Sequence, residues 1–367
     1  MIYGRIQKLK ILIDLTSLSY HITGIERFAM CISEEMLKMD KQNSYILLFR
    51  NNIYPGFEKY IDENRISAKV IYGDKKLLFF QVVMPYELYR IKADRYLFLA
   101  FPNPILFWNK NIYNTIHDMG RWDCPETKGV HLFYFKTTEA LALKRAKHIF
   151  TVSNFSKERI HSLMKISNDN ITVTYNGIAR TLSESNADFH DIKTKYKLPD
   201  KYIMFLSTLQ PRKNLKLLLE AFSEVMSQVD YDLVLIGRVG WKVDDLIGKY
   251  KFGNRINFTG FVDDQDVSLI YKNALCFVFP TLYEGFGIPP VEALAMGTPV
   301  ISSDSSCMKE ILRKQATFFA NNDKEELKKL LVRLPESRDK MAKELDKFQI
   351  ENFRYDVSAK IILETIL

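Results

Sequence analysis

Short apolar runs recur along this chain, each bounded by polar or turn-forming residues. In the first half they are KILIDL, YILLF, YLFLA, NIYNTIH, HIFTVS and ITVTYNG; in the second they are YIMFLST, YDLVLIG, INFTG, CFVFP, TPVIS and TFFA. Runs this short and this continuous suit strands buried on both faces, as a parallel sheet requires. Apolar residues at helical spacing fall between them, around Ile25 to Met39, Leu132 to Arg145 and Lys157 to Met164. This alternation predicts two α/β domains, alike in pattern but sharing no sequence repeat. The polar, weakly periodic segment from Ala179 to Lys201 reads as their connector. From Asp323 the chain turns to charged helices, and RYDVSAKIILETIL (Arg354 to Leu367) has an apolar face at helical spacing. The stretch from Phe79 to Leu99 mixes apolar and aromatic residues with Arg90, Lys92 and Arg95. It could lie against lipid, but a buried helix leading into the strand YLFLA is the favoured reading.

At 367 residues the chain exceeds the size at which one core keeps growing, so two domains are expected. No apolar run is long enough to span a bilayer, and MIYGRIQKLK leads directly into a strand, so a cytosolic protein is expected. The four cysteines, Cys31, Cys124, Cys276 and Cys307, have no paired ligand spacing and read as structural thiols. Charge is unevenly divided. Residues 1–175 hold 25 Lys or Arg against 17 Asp or Glu, and residues 176–367 hold 27 of each, so the net charge of +8 belongs to the first half. A basic first domain suits an anionic partner such as a phosphorylated acceptor or an anionic membrane surface. The lysines are scattered and no nucleic-acid module is recognisable, which argues against nucleic acid.

The densest chemistry lies in FVFPTLYEGFGIPPVEALAMGTPVISSD (Phe277 to Asp304). Two candidate strands flank a loop with Gly285 and Gly287 and a helix opened by Pro289 and Pro290, forming a βαβ unit. Glycines let backbone amides approach a ligand, and amides at a helix start favour phosphate. Glu292 on that helix is placed to accept hydrogen bonds from ribose or sugar hydroxyls, while Glu284 precedes the glycines. The plainer readings are a favourable helix-start charge for Glu292 and an exposed loop acid for Glu284.

EGFGIPPVEALAMGTPVISSD resembles the donor-site signature of the retaining, glycogen-synthase-like GT-B glycosyltransferases (glycosyltransferase family 4), whose two glutamates are separated by seven intervening residues. MFLSTLQPRKNLKLLLEAF (Met204 to Phe222) resembles the segment opening that family's second domain. The resemblance implies a GT-B fold: two Rossmann-like α/β/α domains facing each other across a cleft. Residues 1–178 would bind the acceptor and 179–350 the nucleotide-sugar donor, with 351–367 forming a helix that packs back on the first domain. It also implies a hexosyltransferase that uses a nucleoside diphosphate sugar, GDP-mannose or a UDP-sugar. The acceptor would be a saccharide or lipid-linked saccharide in bacterial surface polysaccharide synthesis, with no metal required because Arg212 and Lys213 would carry the diphosphate charge. Glu284 would hold sugar hydroxyls, Glu292 the ribose, and Gly285, Phe286 and Gly287 the phosphate side of the loop. His117, in NTIHDMGRW, matches the position that touches the donor sugar; Asp118 would orient it or cap the next turn. The family's paired glycines after the first strand are reduced here to Gly24, preceded by His21, a candidate acceptor contact. Asp263, Asp264 and Asp266 read as a helix start rather than a cation site. Two alternatives remain at this level: a nucleotide-sugar epimerase of the same fold, and a catalytically silent nucleotide-sugar binder.

Overall fold

The computed structural model describes residues 8–19, 22–62, 64–178, 187–208, 210–237, 252–345 and 350–367. The chain divides into two units: Met1–Gly177 with Asn352–Leu367, and Ile178–Glu351. Each is a parallel sheet with its helices.

In the first unit seven strands run in the order β3-β2-β1-β4-β5-β6-β7. They are β1 (Lys10–Asp14), β2 (Ser44–Arg50), β3 (Ile66–Ile71), β4 (Arg95–Phe98), β5 (Ile112–Ile116), β6 (His148–Thr151) and β7 (Ile171–Val173). Every pairing is parallel. Ile11, Leu12 and Ile13 are fully buried, so consecutive residues point into apolar layers on both faces of the central strand. The expected helices are present as Gly24–Met39, Gly129–Arg145 and Asn154–Met164.

The second unit has six strands in the order β10-β9-β8-β11-β12-β13. These are β8 (Tyr202–Leu206), β9 (Asp232–Ile236), β10 (Ile256–Gly260), β11 (Cys276–Phe279), β12 (Val300–Ser303) and β13 (Ala316–Phe319), again all parallel. The helix Leu215–Val225 buries Leu218, Leu219, Phe222 and Val225 over this sheet, in one core with Leu327, Leu331 and Leu334 of the helix Lys324–Leu345. The supposed connector is not irregular throughout. It contains the helix Phe189–Tyr196, whose start is capped by the Asp188 side chain accepting from the His190 amide at 2.9 Å.

The helix Tyr355–Ile366 belongs to the first unit. It lies against the helix Gly24–Met39 and buries Ala359, Ile362 and Ile366, each isoleucine contributing roughly 1.5–3 kcal/mol of burial. Polar contacts fix it at both ends: Ser358 Oγ donates to the Tyr175 carbonyl at 2.7 Å, and Arg95 Nε donates to the Ile366 carbonyl at 2.7 Å. At Gly177 the chain passes so close to Tyr355 that a Cβ would stand 2.6 Å from the Tyr355 backbone nitrogen. Among the described residues no helix is long and apolar enough to cross a membrane.

Candidate functional site

In an open parallel sheet the crevice for a ligand lies beyond the carboxyl ends of the strands, where strand order reverses. In the second unit that point lies between β8 and β11. The chain leaves β8 through Ser207 and Thr208 and makes a single 3-10 turn, Pro211–Lys213. Asn214 then adopts a left-handed conformation (φ 54°) before the helix Leu215–Val225. This turn places Arg212 and Lys213 above the sheet end. The loop after β11 is clipped to it, because the Leu282 amide donates to the Arg212 carbonyl at 2.8 Å.

Glu284 is where the two loops converge. Its side chain is 7 % exposed and lies 2.5 Å from Lys213 Nζ through Oε1, while Arg212 Nη1 stands 3.7 Å from Oε2. Thr281 Oγ1 donates to the same Oε1 at 2.9 Å. The Glu284 amide donates to Ser306 Oγ at 2.9 Å, and the Cys307 thiol donates to the Glu284 carbonyl at 3.3 Å. Burial, then the nearby Glu284 charge, pushes the Cys307 thiol well above its ordinary value, so it stays protonated. Behind them, Ser303 and Ser305 both donate to the Thr281 carbonyl, at 2.5 and 2.8 Å. The carboxylate is therefore held by side chains of two loops and braced by a third. The reading of Glu284 as an exposed loop acid is set aside.

Gly285, Phe286 and Gly287 follow, all buried. Gly287 has φ +83°, a conformation that side-chain-bearing residues rarely adopt, and it caps the helix Ile288–Ala295. Pro289 and Pro290 fall within the first turn. Two of the first four helical amides are thus missing, so the helix start is a poorer phosphate cradle than its glycines suggest. Anion binding here must rest more on Arg212, Lys213 and the loop amides. Glu292 is the fifth helical residue and is buried, which replaces the plain helix-start reading with that of an interior carboxylate. The Tyr271 hydroxyl lies 3.5 Å from its Oε2.

The first unit contributes a separate group at its own reversal point, between β1 and β4. His117 follows β5, and its Nε2 lies 2.9 Å from the Leu99 carbonyl, just beyond β4. A carbonyl only accepts, so Nε2 carries the hydrogen. Burial lowers the His117 pKa, which keeps the ring neutral and leaves Nδ1 an acceptor. The Phe28 ring meets the imidazole edge-on at 5.1 Å, and Phe28 lies in the helix that Gly24 begins. Glu26 accepts from the Thr23 amide at 2.9 Å at that helix start. Asp118 caps the next turn, accepting from the Gly120 amide at 2.7 Å, while the His117 ring is oriented by Leu99. Arg121 pairs with the buried Glu139 at 2.7 Å. Asp14, at the end of β1, is buried, and burial pushes its carboxyl up to about 6 although Thr16 donates to it through both amide and hydroxyl. His21 lies outside the described residues.

The structure thus brings Arg212, Lys213, Glu284, Gly285, Phe286, Gly287 and Glu292 to one sheet end in the second unit, and Gly24 and His117 to one sheet end in the first. Sequence reasoning missed Thr281, Ser306 and Tyr271. The hydroxyl three residues before Glu284 was a usable signal for Thr281; the other two contacts arise only in the fold. Asp263 stands at the start of the helix Asp264–Asn273, and both it and Asp266 are engaged by Lys195, at 2.9 and 2.7 Å. Among the described residues no group of three His, Cys, Asp or Glu side chains is disposed to hold a metal ion.

Comparison with known proteins gives two adjoining family matches: Glycosyltransferase Family 4 over residues 87–181 and Glycosyl transferases group 1 over residues 186–351. The O-antigen chain mannosyltransferase B of Escherichia coli is 27 % identical over 341 residues, covering 86 % of this chain and 87 % of that protein. Among solved structures, the sucrose-phosphate synthase of Thermosynechococcus elongatus superposes with a TM-score of 0.75 at 16 % identity, covering 98 % of each chain. HepE of Anabaena, in complex with UDP and glucose, superposes with a TM-score of 0.73 at 17 % identity, covering 98 % of this chain and 99 % of that one.

Proposed function

Because this chain belongs to the GT-B glycosyltransferases, joining a family 4 segment to a group 1 domain, we propose that it transfers mannose from GDP-mannose, with retention at the anomeric carbon, to a saccharide or lipid-linked saccharide in surface polysaccharide synthesis. The observation that carries this reading is the contact of Lys213 and Arg212 with Glu284 at the reversal point of the second sheet. It puts two cations beside a carboxylate that is held in place before any ligand arrives. The likeness to an O-antigen mannosyltransferase over most of both chains supports mannose as the sugar transferred.

In this reading Arg212 and Lys213 stabilise the diphosphate as it leaves, a task for which fixed positive groups in a water-poor site are suited. That assignment gives the charge to protein side chains and requires no divalent metal. Glu284 accepts hydrogen bonds from sugar hydroxyls, and Glu292 accepts them from the ribose. The neutral His117, with Nδ1 unprotonated, would accept from a donor-sugar hydroxyl; it is a positioning group in this scheme and takes no proton from the acceptor. The acceptor hydroxyl attacks on the face the diphosphate leaves. Its proton passes to a departing phosphate oxygen as the new glycosidic bond forms and the old bond to phosphate breaks. A lipid-linked acceptor would bring the chain to the inner face of the cell membrane.

Calorimetry and thermal shift against GDP, UDP, dTDP and their sugar conjugates, with and without chelator, test the donor. Metal-independent preference for GDP-mannose is expected, and NMR of the product should give the donor's own anomeric configuration. Selective binding of a UDP-sugar, loss of binding on chelation, or an inverted product would each overturn the corresponding part.

A further inference from the structure

The helical stretch 76–90, which contains a π-turn at Phe79–Val83, is apolar on two sides. One side is core: Phe79, Met84 and Leu88 pack with Leu12, Phe98 and Phe107. The other carries Leu77, Leu78, Val82, Tyr86 and Tyr89, every one more than half exposed. The buried-helix reading of this sequence therefore accounts for only one of its faces. A surface helix normally turns a polar face outward.

The loop after β4 extends the exposed face. The Tyr89 hydroxyl donates to the Leu106 carbonyl at 3.2 Å and accepts from the Trp108 amide at 2.9 Å, which fixes Leu106 and Trp108 beside the helix; both are again more than half exposed. Of the sixteen large apolar side chains exposed among the described residues, seven lie within the 32 residues from Leu77 to Trp108. Such clustering marks a surface built to be covered.

Two properties identify the cover. The first is that the polar atoms of two of its three aromatic side chains are already used: the Tyr89 hydroxyl as above, and Trp108 Nε1 donating to the Ile105 carbonyl at 3.0 Å. These two rings present hydrocarbon and ask for no polar partner, as suits the boundary between headgroups and acyl chains. The second is charge. Residues 75–110 hold six Lys or Arg against two Asp or Glu, a surplus of four. Both acids already have partners, Glu87 in Lys69 at 2.6 Å and Arg90 at 3.5 Å, and the exposed Asp94 in the Lys10 amide at 2.7 Å; of the cations, Arg95 is likewise engaged, donating to the Ile366 carbonyl at 2.7 Å. Arg90 lies over the Tyr86 ring at 5.5 Å, and Arg145 lies over Trp108 at 3.9 Å, so cations flank the aromatic surface. A basic rim around an apolar face matches anionic lipid.

We propose that the outer face of 77–89, with Leu106 and Trp108, docks on an anionic phospholipid bilayer. This goes beyond the transfer reading and does not rest on it, since binding is measured without donor or acceptor. The test is co-sedimentation of the full chain with phosphatidylcholine vesicles, with and without phosphatidylglycerol. The unmodified protein should bind the anionic vesicles at least tenfold more tightly, less so at high salt. Leu78→Glu combined with Val82→Glu should lower that binding at least tenfold while Tm and GDP binding stay unchanged. Should the double variant fold poorly, brominated phosphatidylglycerol should quench the tryptophan fluorescence of the unmodified chain, and Trp108→Phe should remove most of that quenching. No binding to anionic vesicles, equal binding by the folded variant, or quenching unaffected by Trp108→Phe would overturn the proposal. So would self-association of the unmodified chain that the double variant abolishes in the absence of any vesicle binding, which would assign the face to a second copy.

Discussion

Glu284→Gln should loosen the apo protein and yet bind bare GDP more tightly. In the structure Glu284 Oε1 is 2.5 Å from Lys213 Nζ and Oε2 is 3.7 Å from Arg212 Nη1, with the lysine and glutamate side chains only 12 % and 7 % exposed. At an effective dielectric of about 20 these separations correspond to about 7 and about 4 kcal/mol of attraction before desolvation is subtracted. Breaking one partner of a buried pair typically costs about 3–5 kcal/mol. Removing Glu284 leaves two cations facing each other, whereas Lys213→Met leaves the carboxylate with Arg212. The glutamine variant should therefore fall at the upper end of that range and the methionine variant at the lower. Combining them should cost less than the sum by on the order of 2–3 kcal/mol, the mark of direct contact. The same repulsion is relieved when a diphosphate arrives, so GDP affinity should rise about tenfold, or ~1.4 kcal/mol, while sugar transfer falls. Urea denaturation of the four proteins in the cycle and calorimetry with GDP supply the measurements. Additive destabilisation would show that the pair is not energetically coupled. Weaker GDP binding by Glu284→Gln would show that the two cations do not meet the diphosphate.

Three further outcomes are expected. Asp14 has its carboxyl raised by burial from 3.8 to about 6, so its contribution to stability is fully present below pH 3.8 and is lost as pH rises through 6. Asp14→Asn should consequently stabilise the protein by up to about 3 kcal/mol at pH 8 and hardly at all at pH 3.5; a pH-independent difference in urea midpoints would contradict this. Glu292→Ala should weaken GDP binding about a hundredfold if two ribose hydrogen bonds to a carboxylate are lost, and an unchanged calorimetric Kd would remove Glu292 from the ribose. Gly177→Ala places a methyl 2.6 Å from the Tyr355 nitrogen and should cost ~1–3 kcal/mol, visible as faster amide exchange in the helix Tyr355–Ile366; unaltered exchange would mean that the close approach is not maintained in solution.

The strands were legible where both faces are buried, because then consecutive residues are apolar and a short run stands out, as in Ile11, Leu12 and Ile13 of β1 and in β11. β3 escaped notice. It is the sheet's edge, its burial is partial, and Ser67 and Lys69 interrupt its apolar run. The helix Phe189–Tyr196 was hidden for a related reason: it buries little beyond Ile192, so its sequence reads as polar connector. The chemistry of the donor loop was legible as residue types at fixed spacing. What spacing could not disclose was that Lys213 and Thr281 converge on one oxygen of Glu284, since the lysine is 71 residues away and reaches it only through the adjacency of β8 and β11. Composition likewise identified the stretch 79–99 as apolar without revealing that its side chains divide between core and solvent.

The return of residues 352–367 to the first unit has a consequence for biosynthesis. Translation delivers the seven-stranded sheet first, but the apolar side of the helix Gly24–Met39 that Ala359, Ile362 and Ile366 cover must wait until the whole second unit has been made. The nascent protein therefore carries an unfinished surface for some 170 residues of elongation, at roughly 5–20 residues per second on the order of ten to thirty seconds. During that interval the second unit can fold to completion, and the part synthesised first is the last to be closed.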